Sequence, residues 1–596
     1  MKKFSKKLIV LIAITSFLQS CDDYLDQANP NEASTDTYWS DFDQSDASLT
    51  GVYGGMLDTF ILNVEQEAIR SDLGILSALR PDNPNPNART VPFYTHTYNS
   101  GSFNIHRQWN ALYQVIFRAN QLIAGLERMD ETLKNSDQWT EQMGQARLLR
   151  GISHFYLHAL YNNGEIIIRD KVPGSPSEIS KPTSTSADVI TFFRDDLKYA
   201  YDNLPYQFDE KSRVDKGVAA TILGTSHLYE KEYGPALVYF NDIINNSEYG
   251  YALLTGEDVK LMYTSSGEFN SESIFEINYS VAQKIEESQW YEESFNHRHA
   301  RYSAPNGRGG GGPEHYVPAA WLTEAYSTES LDPLDARNKV VGYNGNDRVT
   351  DNISLRASSM IALVNDEHTE YYLSPTAAIR ESFNNNKISF FKQHINHDIT
   401  DHEKNVGGTT WKSGKNVIMN RLADIYLMRA ECYIETGKVT EALADINTIR
   451  ERWGLALLGP VVDAGKTYIA NEPSTSLPYT DENTLRNHLR HVERPLELNI
   501  QGVSTRNIDL RRWGNAKARF AELNGIKYYL DKYTYTSNAS GATKVRNNSL
   551  LTRTMTGKEL YKDGENEFKA AAENYSELRD YLPIPLSETD NNSSID

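Results

Sequence analysis

Apolar residues in the middle of the chain recur at helical spacing. From Trp109 onward, Leu112, Tyr113, Ile116 and Ile123 fall on one face, interrupted only by Asn120. A face of that width has to be buried against a neighbour. Leu148, Ile152, Phe155 and Tyr156 repeat the spacing and predict a second helix. A third pair runs through Val218, Ile222 and Tyr229, is expected to turn at Tyr233-Gly234-Pro235, and returns through Ala236, Leu237, Phe240 and Ile244. A fourth runs through Leu422, Tyr426, Ala430 and Tyr433, turns at Gly437, and returns through Ala442, Leu443, Ile446 and Ile449. The last two pairs share an aromatic, a short turn, an alanine and an amphipathic return, the layout of a degenerate tetratricopeptide-like hairpin.

The helical pattern is not continuous. Residues 60–105 and about 255–415 are rich in Asn, Gly, Pro and Tyr, with strand-like runs at 273–279 and 387–392. Long irregular segments are usually functional or disordered, and their scattered Trp and Tyr argue against disorder. The fold expected is mostly α: hairpins at about 105–250 and 415–515 form a scaffold, with functional loops mounted on one side.

The first residues bear on the compartment. Lys2, Lys3, Lys6 and Lys7 precede a short apolar run, 8–18, which falls short of the roughly 20 apolar residues a membrane-spanning helix needs. Leu18-Gln19-Ser20-Cys21 follows, a small residue before a cysteine, as a lipoprotein signal peptidase requires. The expectation is a leader at 1–20, a lipidated Cys21 with a polar tether at 21–36, and a single body at 37–596. Loss of the four leader lysines takes the net charge from −20 to near −24. Such a chain repels nucleic acid and polyanions at long range, so a neutral ligand fits more easily unless a local basic patch overturns the bias. With Cys21 lipidated, Cys432 is the one thiol left, which excludes a disulfide framework and a cysteine-based metal site.

Several phrases resemble the SusD/RagB family of nutrient-uptake lipoproteins. Early in the chain stand Trp109-Asn-Ala-Leu-Tyr113 with Ala119-Asn120-Gln-Leu-Ile123, then Ala146-Arg-Leu-Leu-Arg150 with Phe155, Tyr156 and Tyr161. Asp196-Leu197, Leu204-Pro205 and Arg213-Val-Asp-Lys-Gly-Val-Ala-Ala220 come next. The most specific stretch is Arg421-Leu-Ala-Asp-Ile-Tyr-Leu-Met-Arg-Ala-Glu431, followed by Glu493-Arg494, Glu497-Leu498, Gly502, Arg506, Asp509-Leu510 and Arg512-Trp513-Gly514. Tyr581-Leu-Pro-Ile-Pro585 is similar to the family's terminal signature. Gln501 stands where the family usually has Glu, and the spacing from Gly502 to Arg506 is wider than usual. The resemblance implies a SusD-like fold whose tetratricopeptide-like helices dock a TonB-dependent, SusC-like transporter. It also implies a loop face that binds a poly- or oligosaccharide, in some members a peptide. Asp22-Asp23 looks like the acidic signal that sends such lipoproteins to the surface of the outer membrane, with palmitate among the acyl groups on Cys21.

Glycan recognition needs flat aromatic faces flanked by amides, carboxylates and guanidiniums. At 11% aromatic the chain has them in supply. The resemblance places the ligand in the loops but transfers no residue by position, so the candidates are drawn by type. They are Asp72, Arg80, Asp82 and Asn83, then Trp290, Tyr291 and Arg301, and lastly Tyr316, Tyr372 and Trp411. For any one of the aromatics, burial in the local core is the competing role, and two or three are expected to form an exposed platform.

Other constellations carry less. His394, His397 and Asp398, with Asp401, His402 and Glu403, have a spacing that zinc could use, but a polar turn explains the same residues and no H-E-x-x-H helix is present. No metal site or cofactor is assigned, although Asp and Asn oxygens elsewhere leave room for a structural calcium. The glycine-rich run 306–313 has no following Lys-Ser/Thr and reads as a loop, not a phosphate cradle. Arg421, Arg429, Asp424 and Glu431, and likewise Glu493, Arg494, Asp509, Arg511 and Arg512, read as ion pairs of the scaffold. The function expected is non-catalytic glycan capture. A peptide-binding member of the same family is the alternative, and less favoured still are a protein-binding adaptor and a surface glycoside hydrolase. The hydrolase needs two carboxylates about 5–10 Å apart. With 80 acidic residues such pairs are unavoidable and say nothing.

Overall fold

The computed structural model describes residues 39, 41–76, 89–280, 296, 297, 299, 303, 304, 315–341, 347–349, 353–378, 388–398, 413–536 and 540–595. The architecture is mostly α with a few short strands. In chain order the elements that matter here begin with α1 (Phe42–Met56), α2 (Val64–Arg70), β1 (Gly74–Leu76), α3 (Ile105–Arg128), α4 (Asp137–Leu160), α5 (Ser186–Asn203), α6 (Lys216–Tyr229) and α7 (Tyr233–Asn245). Then come β2 (Ser273–Ile277), β3 (Tyr316–Pro318), β4 (Ile361–Leu363), β5 (Ser389–Phe391) and β6 (Val417–Arg421). The last are α8 (Leu422–Glu435), α9 (Val439–Arg452), α10 (Arg494–Leu498), α11 (Thr505–Arg512), β7 (Tyr529–Thr536) and β8 (Thr543–Thr552).

Helices α3 to α9 pack in sequence, each on its predecessor, with α1 laid over α3 and α4 and α7 against α8. The apolar stripe read from the sequence is the buried stripe: Trp109, Leu112, Ile116, Leu122 and Leu126 of α3 are out of water. Side-chain caps open three of the helices. Ser136 accepts from the Trp139 N–H, Thr185 from Asp188, and Asp215 from Gly217 and Val218, each satisfying a donor the helix cannot. Asn120, which interrupts the stripe of α3, is only 2% exposed. Its amide donates to the Arg169 carbonyl at 2.9 Å and accepts from Arg150 at 2.7 Å. Arg150 in turn clamps Asp196 of α5 at 2.7 and 2.8 Å. The polar interruption is therefore a joint between three helices.

Gly437 ends α8 with φ +76, as the turn expected there requires. The other turn lies elsewhere than expected. Lys231, at φ 61, makes the reversal, and Tyr233-Gly234-Pro235 already form the first turn of α7, where proline loses no hydrogen bond. The strand-like runs 273–279 and 387–392 are β2 and β5, paired antiparallel with β6 and β4. The hairpin of β7 and β8 is an element the helical reading missed. Among the described residues no helix is long and apolar enough to cross a membrane.

The scaffold closes on buried charge. Arg356, Arg421, Arg450 and Arg452 meet Glu272, Glu329, Glu493 and Glu497, all essentially inaccessible to water. Arg421, at the end of β6, reaches Glu272 at 2.7 Å, Glu497 at 2.6 Å and the Gln501 carboxamide oxygen at 2.7 Å. Four guanidiniums face four carboxylates, so the uncharged Gln501 keeps the group balanced where a glutamate would add a fifth negative charge. Beside it Arg494 joins Asp424 and Asp509, and Arg512 joins Glu431 and Asp509. Two expected partners differ: Arg429 pairs with Asp445 of α9, and Arg511 donates to the Ala159 carbonyl while lying 3.7 Å over the Tyr581 ring.

Candidate functional site

Short pairings gather the loop segments into one region. β1 against β3 sets Leu76 opposite Tyr316, so the chain entering 77–88 lies beside the chain leaving 305–314. β2 against β6 sets Ile277 opposite Val417, and a bridge between His297 and Ser413, with N–H···O distances of 2.9 and 3.1 Å, carries that pairing onward. The chain entering 281–295 and the chain leaving 399–412 thus meet. The Tyr316 ring packs on Phe391 of β5 at 5.5 Å, which links the β1–β3 pair to the β4–β5 pair.

The floor beneath this junction is aromatic and basic. Tyr279 meets the His297 ring edge-on at 5.1 Å, His297 stacks on His299 at 4.7 Å, and His299 lies 6.1 Å from His394. His394 engages the Ile500 carbonyl at 3.1 Å and His397 the Tyr263 carbonyl at 3.0 Å. Burial holds all four imidazoles far below their ordinary pKa, His299 at about 3 and His394 at about 4. Lys415 donates to the Tyr263 carbonyl at 2.7 Å and pairs with Asp398 at 3.3 Å, and Asp398 accepts from the Ser265 N–H and hydroxyl at 2.6 Å. A narrow pocket with room for about one water molecule lies between Tyr263, Glu268, Glu276, His394, Lys415 and Asn416. Glu268 accepts from the Asn416 N–H, and Glu276 from the Asn416 amide and the Phe269 N–H. Burial raises both of these carboxyl pKa values.

The zinc-like spacing noted at His394, His397 and Asp398 resolves into these separate bonds. Among the described residues no three His, Cys, Asp or Glu side chains are placed to hold a metal ion. Asp401, His402 and Glu403 lie outside the described residues.

At one edge of the junction, arginines and phenylalanines alternate. The Arg107 guanidinium lies 4.7 Å from the Phe60 ring centre and 4.6 Å from that of Phe103, and Arg89 lies 4.0 Å from Phe103. His106 meets the same Phe103 ring edge-on at 5.7 Å. The Phe60 N–H is fixed by Asp58 at 2.8 Å, and the Tyr279 hydroxyl reaches the Leu57 carbonyl at 3.4 Å, tying this edge to the histidine floor. Arg89 is exposed, and Phe60, Phe103, His106 and Arg107 are half-buried. These residues escaped the sequence reading, because contacts between positions 60, 89, 103 and 107 follow no helical or strand period.

Three candidates chosen by residue type prove committed to packing. Asp72 is wholly buried between Arg506 at 2.7 Å and Arg519 at 3.1 Å. Burial pushes its carboxyl upward, but the two guanidiniums outweigh that and hold it at about 2. Tyr316 is 1% exposed within β3, and Tyr372, 7% exposed, packs on Tyr371 at 4.8 Å with its N–H on the His397 carbonyl. None of the three presents an open face to a ligand. Arg80, Asp82, Asn83, Trp290, Tyr291, Arg301 and Trp411, together with Cys21 and the glycine run, lie outside the described residues.

Comparison with known proteins agrees across the chain. Residues 271–596 match the model of the SusD family, and residues 23–228 match one described as starch-binding and associating with the outer membrane. A SusD-like protein of Formosa agariphila, P38, is 24% identical over 549 residues, 88% of this chain and 95% of that one. A SusD superfamily protein from Bacteroides vulgatus superposes with a TM-score of 0.67 at 20% identity, covering 94% of this chain and 99% of its own. A laminarin-binding SusD-like protein does so at 0.63 and 19%, covering 94% and 98%.

Proposed function

The chain belongs to the SusD family, a carbohydrate-binding family, and from that premise we propose that it captures a poly- or oligosaccharide on the loop face without cleaving it. The bound glycan is handed to a TonB-dependent transporter while lipid on Cys21 holds the protein at the outside of the outer membrane. The observation that carries this reading is the convergence of the described loop ends on one aromatic floor. Capture without chemistry suits the floor's carboxylates: Asp398 is neutralised by Lys415, and Glu268 and Glu276 are occupied by backbone and amide donors. Weak sites suffice for such a role, because an anchored binder keeps the polymer at high effective concentration near its transporter.

The test is electrophoresis of the protein from Asp22 onward through native gels cast with laminarin, xyloglucan, mannan and other soluble polysaccharides, with a reducing-end assay alongside. The expected result is retardation by at least one of them with no new reducing ends. Trp290→Ala and Trp411→Ala are expected to weaken that retardation by about tenfold or more, as for aromatic anchors generally. Release of sugar makes the protein a hydrolase. Retardation by none favours the peptide-binding reading.

A further inference from the structure

Asn499 stands where the chain itself gains nothing from an asparagine. With φ 50 and ψ −121 it is the first central residue of a tight turn at the end of α10, closed by the Gln501 N–H on the Leu498 carbonyl at 3.0 Å. Glycine adopts this geometry without strain, so any side chain here lowers stability. The carboxamide does not offset that loss inside the protein. It is buried, 2% exposed, and neither its Oδ1 nor its Nδ2 has a hydrogen-bond partner, which is a second destabilising feature at the same residue.

The side chain lines a pocket between α2 and the start of α11, together with Glu67, Ser71, Ser504, Thr505 and Asn507, with room for about one or two water molecules. Of the lining residues only Thr505 and Asn507 keep some exposure. The same turn backs the aromatic floor: the Ile500 carbonyl engages His394 at 3.1 Å, and the Gln501 carboxamide oxygen accepts from the Tyr263 hydroxyl at 3.0 Å. The charges around the pocket are already answered. Arg506 pairs with Asp72 at 2.7 Å, and Glu67 with Arg70 at 2.6 Å, with the Asn507 amide at 3.0 Å and with the Ser504 hydroxyl. Neither a cation nor an anion is called for, and what remains is one neutral acceptor and one neutral donor on Asn499.

We propose that Asn499 and its pocket form a subsite for one free hydroxyl group of the captured glycan. A hydroxyl donates and accepts at once, which is what Oδ1 and Nδ2 together ask for, and it is the size of the water molecule the pocket can hold. The rest of the sugar stays outside, against Thr505, Asn507 and the neighbouring floor. A site built around a hydroxyl discriminates sharply against an analogue that lacks it, because the polar groups are then left unpaired. Asn499 is thus a specificity residue, retained at the expense of stability. This inference rests on the capture reading.

The experiment compares the protein from Asp22 onward with its Asn499→Gly variant, which removes the carboxamide and relieves the turn. Urea titration gives stability, and affinity gels cast with laminarin, xyloglucan or mannan, each native and partly O-methylated, give binding. The variant is expected to match or exceed the wild type in urea midpoint, yet to bind the polysaccharide that retards the wild type about tenfold more weakly. Methylation, which caps hydroxyls, should weaken the wild type by a larger factor than the variant. A variant that binds like the wild type overturns the subsite, since the pocket then takes solvent alone. Stability and affinity falling together also overturn it, because Asn499 is then a structural residue; in either case capture stands. If the wild type binds no polysaccharide, the capture reading fails and this inference falls with it.

Discussion

Asp72 shows what a single buried carboxylate does in this protein. Sealed between Arg506 and Arg519, it ties the end of α2 to α11 and the helix that follows. Breaking a buried pair by removing one partner leaves charge unpaired and typically costs about 3–5 kcal/mol. Asp72→Asn should therefore lower the unfolding free energy by about that much in urea titrations, while protein that remains folded keeps its mobility shift in polysaccharide gels. A shift lost in folded protein would return Asp72 to the ligand face. Residue type alone could not separate the two roles, since an aspartate near arginines reads the same in a clamp as in a sugar site. Asn120 was readable only as a gap in a stripe; its meaning needed Arg150 and Asp196, 30 and 76 positions away.

At the scale of elements the helices were legible and their joints less so. A 3.6-residue period marks a buried face wherever packing is continuous, which is why α3, α4 and α6 to α9 stand where the apolar spacing puts them. A glycine before a proline is a weaker sign, satisfied by a turn or by the first turn of a helix, and here the helix won. Two substitutions separate the cases. Gly437→Ala forces a side chain into a left-handed position and should destabilise by about 1 kcal/mol. Gly234→Ala, helical and with open space about it, should leave stability unchanged or raise it by at most about 1 kcal/mol. Urea midpoints measured side by side decide, and the reverse order would contradict the placement of the α6–α7 turn. The loop face stayed dark in the sequence because it is assembled from contacts such as Phe60 with Arg107 and His299 with His394, which no local pattern encodes.

For the whole molecule, buried imidazoles set the response to acid. His297, His299, His394 and His397 are held neutral by burial, with folded pKa values below the ordinary value near 6.5. The unfolded chain therefore binds protons first as pH falls. Stability is full above about 6.5 and declines below it, by about 1.4 kcal/mol per pH unit for each such histidine, until the folded pKa is reached, at about 4 for His394 and about 3 for His299. Denaturant midpoints should thus hold steady from pH 8 to 7 and fall steeply toward pH 5. A flat profile down to pH 5 would mean that these rings are solvated.

The central claim is that glycan is taken on the loop face while the helical hairpins remain a scaffold. Hydrogen–deuterium exchange with and without the polysaccharide that retards the protein tests it most directly. Slowed exchange is expected in peptides covering Phe60, Phe103 to Arg107, Tyr263 to Glu268 and Ser413 to Asn416, with α5 to α9 unchanged. Protection confined to the hairpins, with the loop face unaltered, would contradict it.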